Sequence, residues 1–187
     1  MDEDIKNAIA VMRRGGIILY PTDTVWGIGC DATNAEAVAK IFALKRRADS
    51  KAMLTLIDSA AKLPGYVDTI PDVAYDLIEL ATRPLTIIYS NAKNLAPNLL
   101  ADDGSVGIRV TNEAFSHRLC ERFHLPIVST SANISGEPAA HTFAEISDEI
   151  KNGVDYICTT RRDDTTPARP SSIIKLGPHA ELKIIRE

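Results

Sequence analysis

Short apolar runs rich in β-branched residues recur along the chain, and none is long enough to be a helix. They are "IILY" (17–20), "MLTLI" (53–57), "LTIIY" (85–89), "VGIRV" (106–110) and "PIVST" (126–130). Runs of four to six such residues bounded by turn chemistry read as buried strands. Between them lie segments with helical spacing. Ile5, Ala8, Ile9 and Met12 form one stripe over residues 2–14, and Gly15–Gly16 supply its stop. Asn34 is placed to cap a helix over 35–45. Pro71 suits the first turn of a helix to about Ala81, Asn112 is placed to cap a helix through Phe123, and "TFAE" (142–145) has the pattern of a capping box. "DYICTT", "SSIIKL" and "ELKIIRE" are late strand candidates. Strands follow helices irregularly, with some direct strand-to-strand steps. This pattern predicts an α/β mixed sheet with helices on both faces rather than a strict βαβ repeat.

The chain of 187 residues is of a size for a single domain, taken as 1–187. Its formal charge of −4 and its 5% of aromatic residues argue against a generally basic, base-stacking surface. Cys30, Cys120 and Cys158 are far apart and form no CxxC, so neither a disulfide framework nor a zinc ribbon is indicated and a reducing cytoplasm is expected. The N-terminus runs from acidic to basic, the reverse of a secretory signal, and no apolar stretch reaches membrane length, so no membrane association is expected.

Three strand ends are richer in polar groups than a turn requires. "PTDTVWG" follows 17–20, "STSANISGEP" follows 126–130, and "RPSSI" (169–173) enters a late strand. Each could simply terminate its strand; together their hydroxyls, amides and free N–H groups suit a polar ligand. "LKRRADSK" (44–51) clusters Lys45, Arg46, Arg47 and Lys51 at a helix C-terminus, where pairing with the helix dipole is the alternative to ligand binding. Arg109 stands inside an apolar strand, where a guanidinium requires an anionic partner or exposure. Asp23 reads as a local turn acceptor, Trp26 as a packing residue, and His117, His124, His141 and His179 as scattered surface or helix residues. The polar run "TTRRDDTTPARP" (159–170) reads as flexible and placed to close over a site. GxxxxGK[ST], GxGxxG and GxSxG are all missing, which removes a P-loop, a dinucleotide fingerprint and a hydrolase elbow.

"YPTDTVWGIGCDA", "LKRRADSK", "VGIRVTN", "PIVSTSANISG" and "RPSSII" occur in the order and spacing of the YrdC/TsaC family, which this chain resembles over about residues 5–186. Ala48 stands where that family usually has proline, "TRPLT" (82–86) replaces a "PGPxT" stretch, and Trp26 replaces tyrosine or phenylalanine. The resemblance implies a YrdC-like fold, a twisted open mixed sheet flanked by helices, in the short form without a further C-terminal domain. It implies an L-threonylcarbamoyladenylate synthase: ATP, L-threonine and bicarbonate give threonylcarbamoyl-AMP and pyrophosphate, with Mg²⁺ accompanying ATP. The product would feed a downstream threonylcarbamoyl transferase complex that modifies tRNA position 37, and tRNA binding is a further expectation. Lys45 and Arg47 are the implied catalytic residues. Lys45, Arg47, Lys51, Ser131, Asn133 and Arg186 are the implied ATP-binding set. Thr24, Arg109, Thr130 and Ser171 are the implied threonine-binding set, and no protein-held metal is expected. An RNA-binding module without catalysis and a carbamoyl-phosphate-using transferase component are the competing readings.

Overall fold

A computed structural model describes residues 1–46, 53–166 and 170–187. Nine strands form one mixed sheet in the order β7-β1-β2-β6-β3-β5-β4-β8-β9. They are β1 (Ile18–Tyr20), β2 (Gly27–Gly29), β3 (Leu54–Ile57), β4 (Leu85–Tyr89), β5 (Val106–Val110), β6 (Ile127–Ser131), β7 (Tyr156–Ile157), β8 (Ser172–Leu176) and β9 (Leu182–Arg186). The pairs β1/β7, β3/β5 and β4/β8 are parallel and the other neighbours antiparallel. The helices are α1 (Asp2–Arg13), α2 (Ala35–Leu44), α3 (Val73–Leu80), α4 (Ala114–Phe123) and α5 (Asp148–Gly153). None of them is long and apolar enough to cross a membrane.

Local chemistry explains most element ends. Gly15 adopts φ +73° while its N–H bonds Met12 O and that of Gly16 bonds Val11 O, a left-handed stop that glycine adopts without a Cβ penalty. Asn34 Oδ1 accepts from the N–H groups of Glu36 and Ala37 and starts α2. Two expectations need correction, and two elements were not foreseen. α4 is capped by Glu113, whose carboxylate accepts from Phe115 N and Ser116 N, rather than by Asn112. The "TFAE" box gives only a 3₁₀ turn over Phe143–Glu145; Thr142 makes no side-chain cap and Glu145 instead accepts from His141 N. β2 and α5 were hidden, β2 because "GIG" carries one apolar side chain between two glycines and α5 because "DEIKNG" is short and polar.

The two faces of the sheet are covered differently. On one, α2 packs over Leu19, Ile28 and Val128. The same face continues under α3 through Ile57, Ile87, Ile108 and Ile174. On the other, α1 and α4 bury Ile18, Tyr20, Leu56 and Ile127. Continued across β5, β4 and β8, this second face carries Arg109, Thr86 and Ile173 and becomes the floor of a cavity. Period-two alternation assigns these residues to one side.

Candidate functional site

The cavity measures about 410 Å³ and is lined by Thr24 of the 21–26 turn, by Arg109 of β5, by Ser129, Thr130 and Ser131 of β6, by Thr86 and Ile88 of β4, by Ser171 and Ile173, and by Arg186 of β9. Its walls are polar at two ends because the polar strand ends meet there. Registry produces the convergence. β2 pairs with β6 so that Gly27 lies beside Ser131, which brings the turn after β1 against the end of β6. β8 pairs with β4 and β9, which brings Ser172 beside Leu85 and Arg186 beside Ile173.

Arg109 is the largest fully buried side chain among the described residues. Its Nη2 lies 2.8 Å from Asp23 Oδ1, a close charge pair in which the carboxylate oxygen makes no aligned hydrogen bond. A longer contact of 3.5 Å joins Nη2 to Thr24 Oγ1, and the buried Nε has no hydrogen-bond partner among the described residues. Burial raises the Asp23 carboxyl above its ordinary range, and the Arg109 guanidinium pulls against that rise. Asp23 is therefore more than a turn acceptor: it is the counter-ion of the mid-strand arginine. The 21–24 turn is held by Thr22, whose hydroxyl donates to Val25 O, accepts from Thr24 N and contacts Thr24 Oγ1.

Arg186 Nε and Nη2 both donate to Ser171 O, and Ser171 Oγ lies 2.9 Å from Thr86 Oγ1. Desolvation first, and the positive charge of Arg109 second, lower the pKa of the Arg186 guanidinium. Two guanidiniums thus line one hollow, Arg109 paired with the Asp23 carboxylate and Arg186 bonded to the Ser171 carbonyl, and an anionic ligand would relieve their repulsion.

The structure brings six of the expected site residues to this cavity: Thr24, Arg109, Thr130, Ser131, Ser171 and Arg186. Arg47 and Lys51 lie outside the described residues, as does Ala48. Lys45 and Asn133 are not among the residues that line the cavity. Lys45 is buried, with Nζ donating to the carbonyls of Ser131 and, at 2.7 Å, Asn133, while its own carbonyl accepts from Ser135 N. Asn133 Nδ2 donates to Ile134 O and Glu137 O. Both side chains therefore tie down the loop after β6.

Within the 159–170 run, expected to be flexible, residues 159–162 are anchored to the rest of the fold. Asp4 accepts from Thr159 N, Thr159 Oγ1, Thr160 N, Thr160 Oγ1 and the Tyr156 hydroxyl. Arg161 donates to Thr22 O and reaches Glu113, and Arg162 donates to Cys158 O and Ile157 O. Trp26 packs at 4.9 Å from Phe143, as its packing role required. All three cysteines are buried, and their thiols are pushed up by desolvation, so none is activated. Among the described residues no group of His, Cys, Asp and Glu could hold a metal ion. Sequence reasoning missed Thr86 and Ser105 as cavity residues and named Ser129 only as part of a polar strand end; for Thr86 the signal was a hydroxyl between the apolar Leu85 and Ile87.

Comparison with known proteins agrees with this geometry. A Sua5–YciO–YrdC family model, described as "Telomere recombination", matches residues 10–187. The threonylcarbamoyl-AMP synthase of Pseudoalteromonas translucida (strain TAC 125) is 36% identical over 155 residues, covering 81% of this chain and 83% of that relative. P. abyssi Sua5, solved with L-threonine, superposes with a TM-score of 0.83 at 25% identity over 94% of this chain and 52% of its own, so this chain spans about half of that longer protein. E. coli YciO shares the fold with a TM-score of 0.85 at 24% identity, over 100% of this chain and 90% of its own. This chain is a member of the Sua5–YciO–YrdC family.

Proposed function

We propose that the chain, taken as one catalytic unit over residues 1–187, is an L-threonylcarbamoyl-AMP synthase that consumes ATP, L-threonine and bicarbonate and releases pyrophosphate. The observation that carries this reading is the single cavity in which Arg109 and Arg186 converge with the hydroxyls of Thr24, Thr130, Ser131 and Ser171. Relatives named threonylcarbamoyl-AMP synthase support it.

The chemistry needs such a site. The free amine of threonine adds to CO₂ derived from bicarbonate and loses a proton to give a carbamate. A carbamate oxygen then bonds the α-phosphorus of ATP while the bond to pyrophosphate breaks. Both reactants are anions, and two unit charges about 3.5 Å apart repel by roughly 5 kcal/mol at an effective dielectric of ~20. Cations and oriented donors therefore matter more than a covalent nucleophile. Arg109 takes the threonine carboxylate, through donors that Asp23 leaves unused. Thr24, Thr130 and Ser171 bond the amino acid's polar groups. Ser131 and the N–H groups of the loop that Lys45 and Asn133 hold face the phosphates, with Arg186 nearby and Arg47 and Lys51 assigned to the triphosphate. Mg²⁺ enters as the substrate complex MgATP, its charge held on the phosphates. The product passes to a downstream threonylcarbamoyl transferase complex for tRNA position 37, in the cytoplasm where tRNA is modified, and a contact with tRNA belongs to the same reading.

Pyrophosphate release with MgATP, bicarbonate and threonine, run against serine and no amino acid, tests this. Threonine- and bicarbonate-dependent release is expected. Turnover of carbamoyl phosphate without need for bicarbonate would overturn it, as would salt-dependent RNA binding with no threonine-dependent release.

A further inference from the structure

We propose that Thr86 is a specificity-determining residue that reads the side-chain hydroxyl of the amino-acid substrate; the inference rests on the cavity being the threonine site proposed above. Thr86 sits on β4, whose pairing of Ile87 with Ile108 and Ile88 with Gly107 places it beside Arg109 on the cavity face of the sheet. Its other neighbour strand pairs it with Ile173, which in turn faces Arg186. Thr86 thus lies between the two guanidiniums, in the row Arg109, Thr86, Ile173, Arg186. It is buried, yet it lines the cavity.

The hydrogen-bond inventory leaves it a free valence. A hydroxyl has one donor and two acceptor lone pairs. Among the described residues Thr86 Oγ1 bonds one partner, Ser171 Oγ at 2.9 Å. Ser171 Oγ also lies 3.4 Å from the Arg186 Nη2 donor. Arg186 has no lone pair to offer, so Ser171 Oγ accepts there, and its second lone pair or its proton meets Thr86, either hydroxyl being able to donate. Whichever hydroxyl donates, Thr86 Oγ1 keeps at least one lone pair unused among the described residues and can accept from a substrate hydroxyl. The γ-methyl group lies over Gly107, where a Cβ would stand 3.2 Å from Thr86 Cγ2. A β-branched side chain has few χ1 rotamers and the bond to Ser171 selects among them, so the hydroxyl is preorganised.

A substrate carboxylate on Arg109 would set the amino acid's side chain next to this hydroxyl. A site that keeps a hydrogen-bonding group for a substrate hydroxyl discriminates strongly against the isostere lacking it, because its own buried group is then left unpaired. L-Valine is that isostere of L-threonine. Apolar walls alone would separate the two weakly.

The test is initial-rate pyrophosphate release by wild type, Thr86→Val and Thr86→Ser with L-threonine, L-serine and L-valine at saturating MgATP and bicarbonate. In T86V, kcat/KM for threonine should fall on the order of 10- to 100-fold and the threonine-to-valine preference should collapse toward unity, with the KM for MgATP unchanged. T86S, which keeps the hydroxyl, should retain the preference. If T86V does not fold, as read by thermal melting, T86A carries the same comparison. A wild-type threonine-to-valine ratio in the hydroxyl-free variant would overturn the role of Thr86 while leaving the proposed activity intact. No amino-acid-dependent release by wild type would instead overturn the activity itself, and this inference with it.

Discussion

The carboxylate of Asp23, in the turn after β1, stands 2.8 Å from the guanidinium of Arg109 in the middle of β5, and both side chains are largely withdrawn from water. This pair explains how an arginine occupies an apolar strand. Removing one member of a buried ion pair leaves an uncompensated charge, which typically costs about 3–5 kcal/mol. Asp23→Ala should therefore lower unfolding free energy by that order in urea titration, and Asp23→Asn, which retains an acceptor, by less. The pH sign is fixed by the raised carboxyl of Asp23. Its contribution to stability is present below the unfolded value of 3.8 and lost as pH rises through the folded one. Arg109 cancels only part of that loss, yet the alanine variant should not gain stability at neutral pH, because it leaves the buried guanidinium without its carboxylate. A variant as stable as wild type would remove the pair from the account of the fold.

A second carboxylate has the opposite linkage. Burial opposes ionisation of Asp4, but hydrogen bonds from Thr160, Tyr156 and Thr159 hold its pKa well below 3.8, while Tyr156 is pushed up to about 12 by burial and by its bond to Asp4. Stability from Asp4 is thus complete above 3.8 and lost as pH falls below it. Asp4→Asn would turn one acceptor into a donor facing donors. It should be less stable than wild type at neutral pH and lose less on acidification from about pH 5 to about pH 2, as measured by urea midpoints.

Lys45 should behave as a loop clamp. Lys45→Met keeps much of the buried stem but leaves the carbonyls of Ser131 and Asn133 without its ammonium. A loss of about 1–3 kcal/mol in chemical denaturation is expected. Weaker MgATP binding by calorimetry should accompany it, since the wall of the cavity would relax. Unchanged stability together with lost MgATP binding would instead assign Lys45 to direct phosphate contact.

Gly29 marks the closest approach inside the sheet. A Cβ there would lie 2.6 Å from a ring carbon of Tyr20 and 2.7 Å from Val128 O. Gly29→Ala should cost about 1–3 kcal/mol or more through overpacking, whereas Gly65→Ala, where a Cβ meets nothing, should be near neutral. Thermal melting of the two variants side by side checks this.

Much of the fold was legible because it rests on local rules. The stripe of Ile5, Ala8 and Met12, the double glycine after α1 and the Asn34 cap are decided within a few residues, and each element formed as expected. β2 was not legible, since Gly27 and Gly29 are there to admit the Tyr20 ring, a need that arises only when β1 and β2 pair. Arg109 announced that a partner was required; the chain could not say that the partner was Asp23, because that depends on which strand ends the sheet order brings together.

Sequence alone thus determined the residue types at the strand ends, the helical stripes and the need to compensate a buried cation, since these follow from short-range sterics, periodicity and the cost of burying charge. Only the tertiary structure decided which polar ends face one hollow, that Lys45 turns inward onto a loop, and that Thr86 stands between two guanidiniums. Those outcomes depend on strand order and register, and a shift of one residue in register would send Arg109 and Thr86 to the opposite face of the sheet.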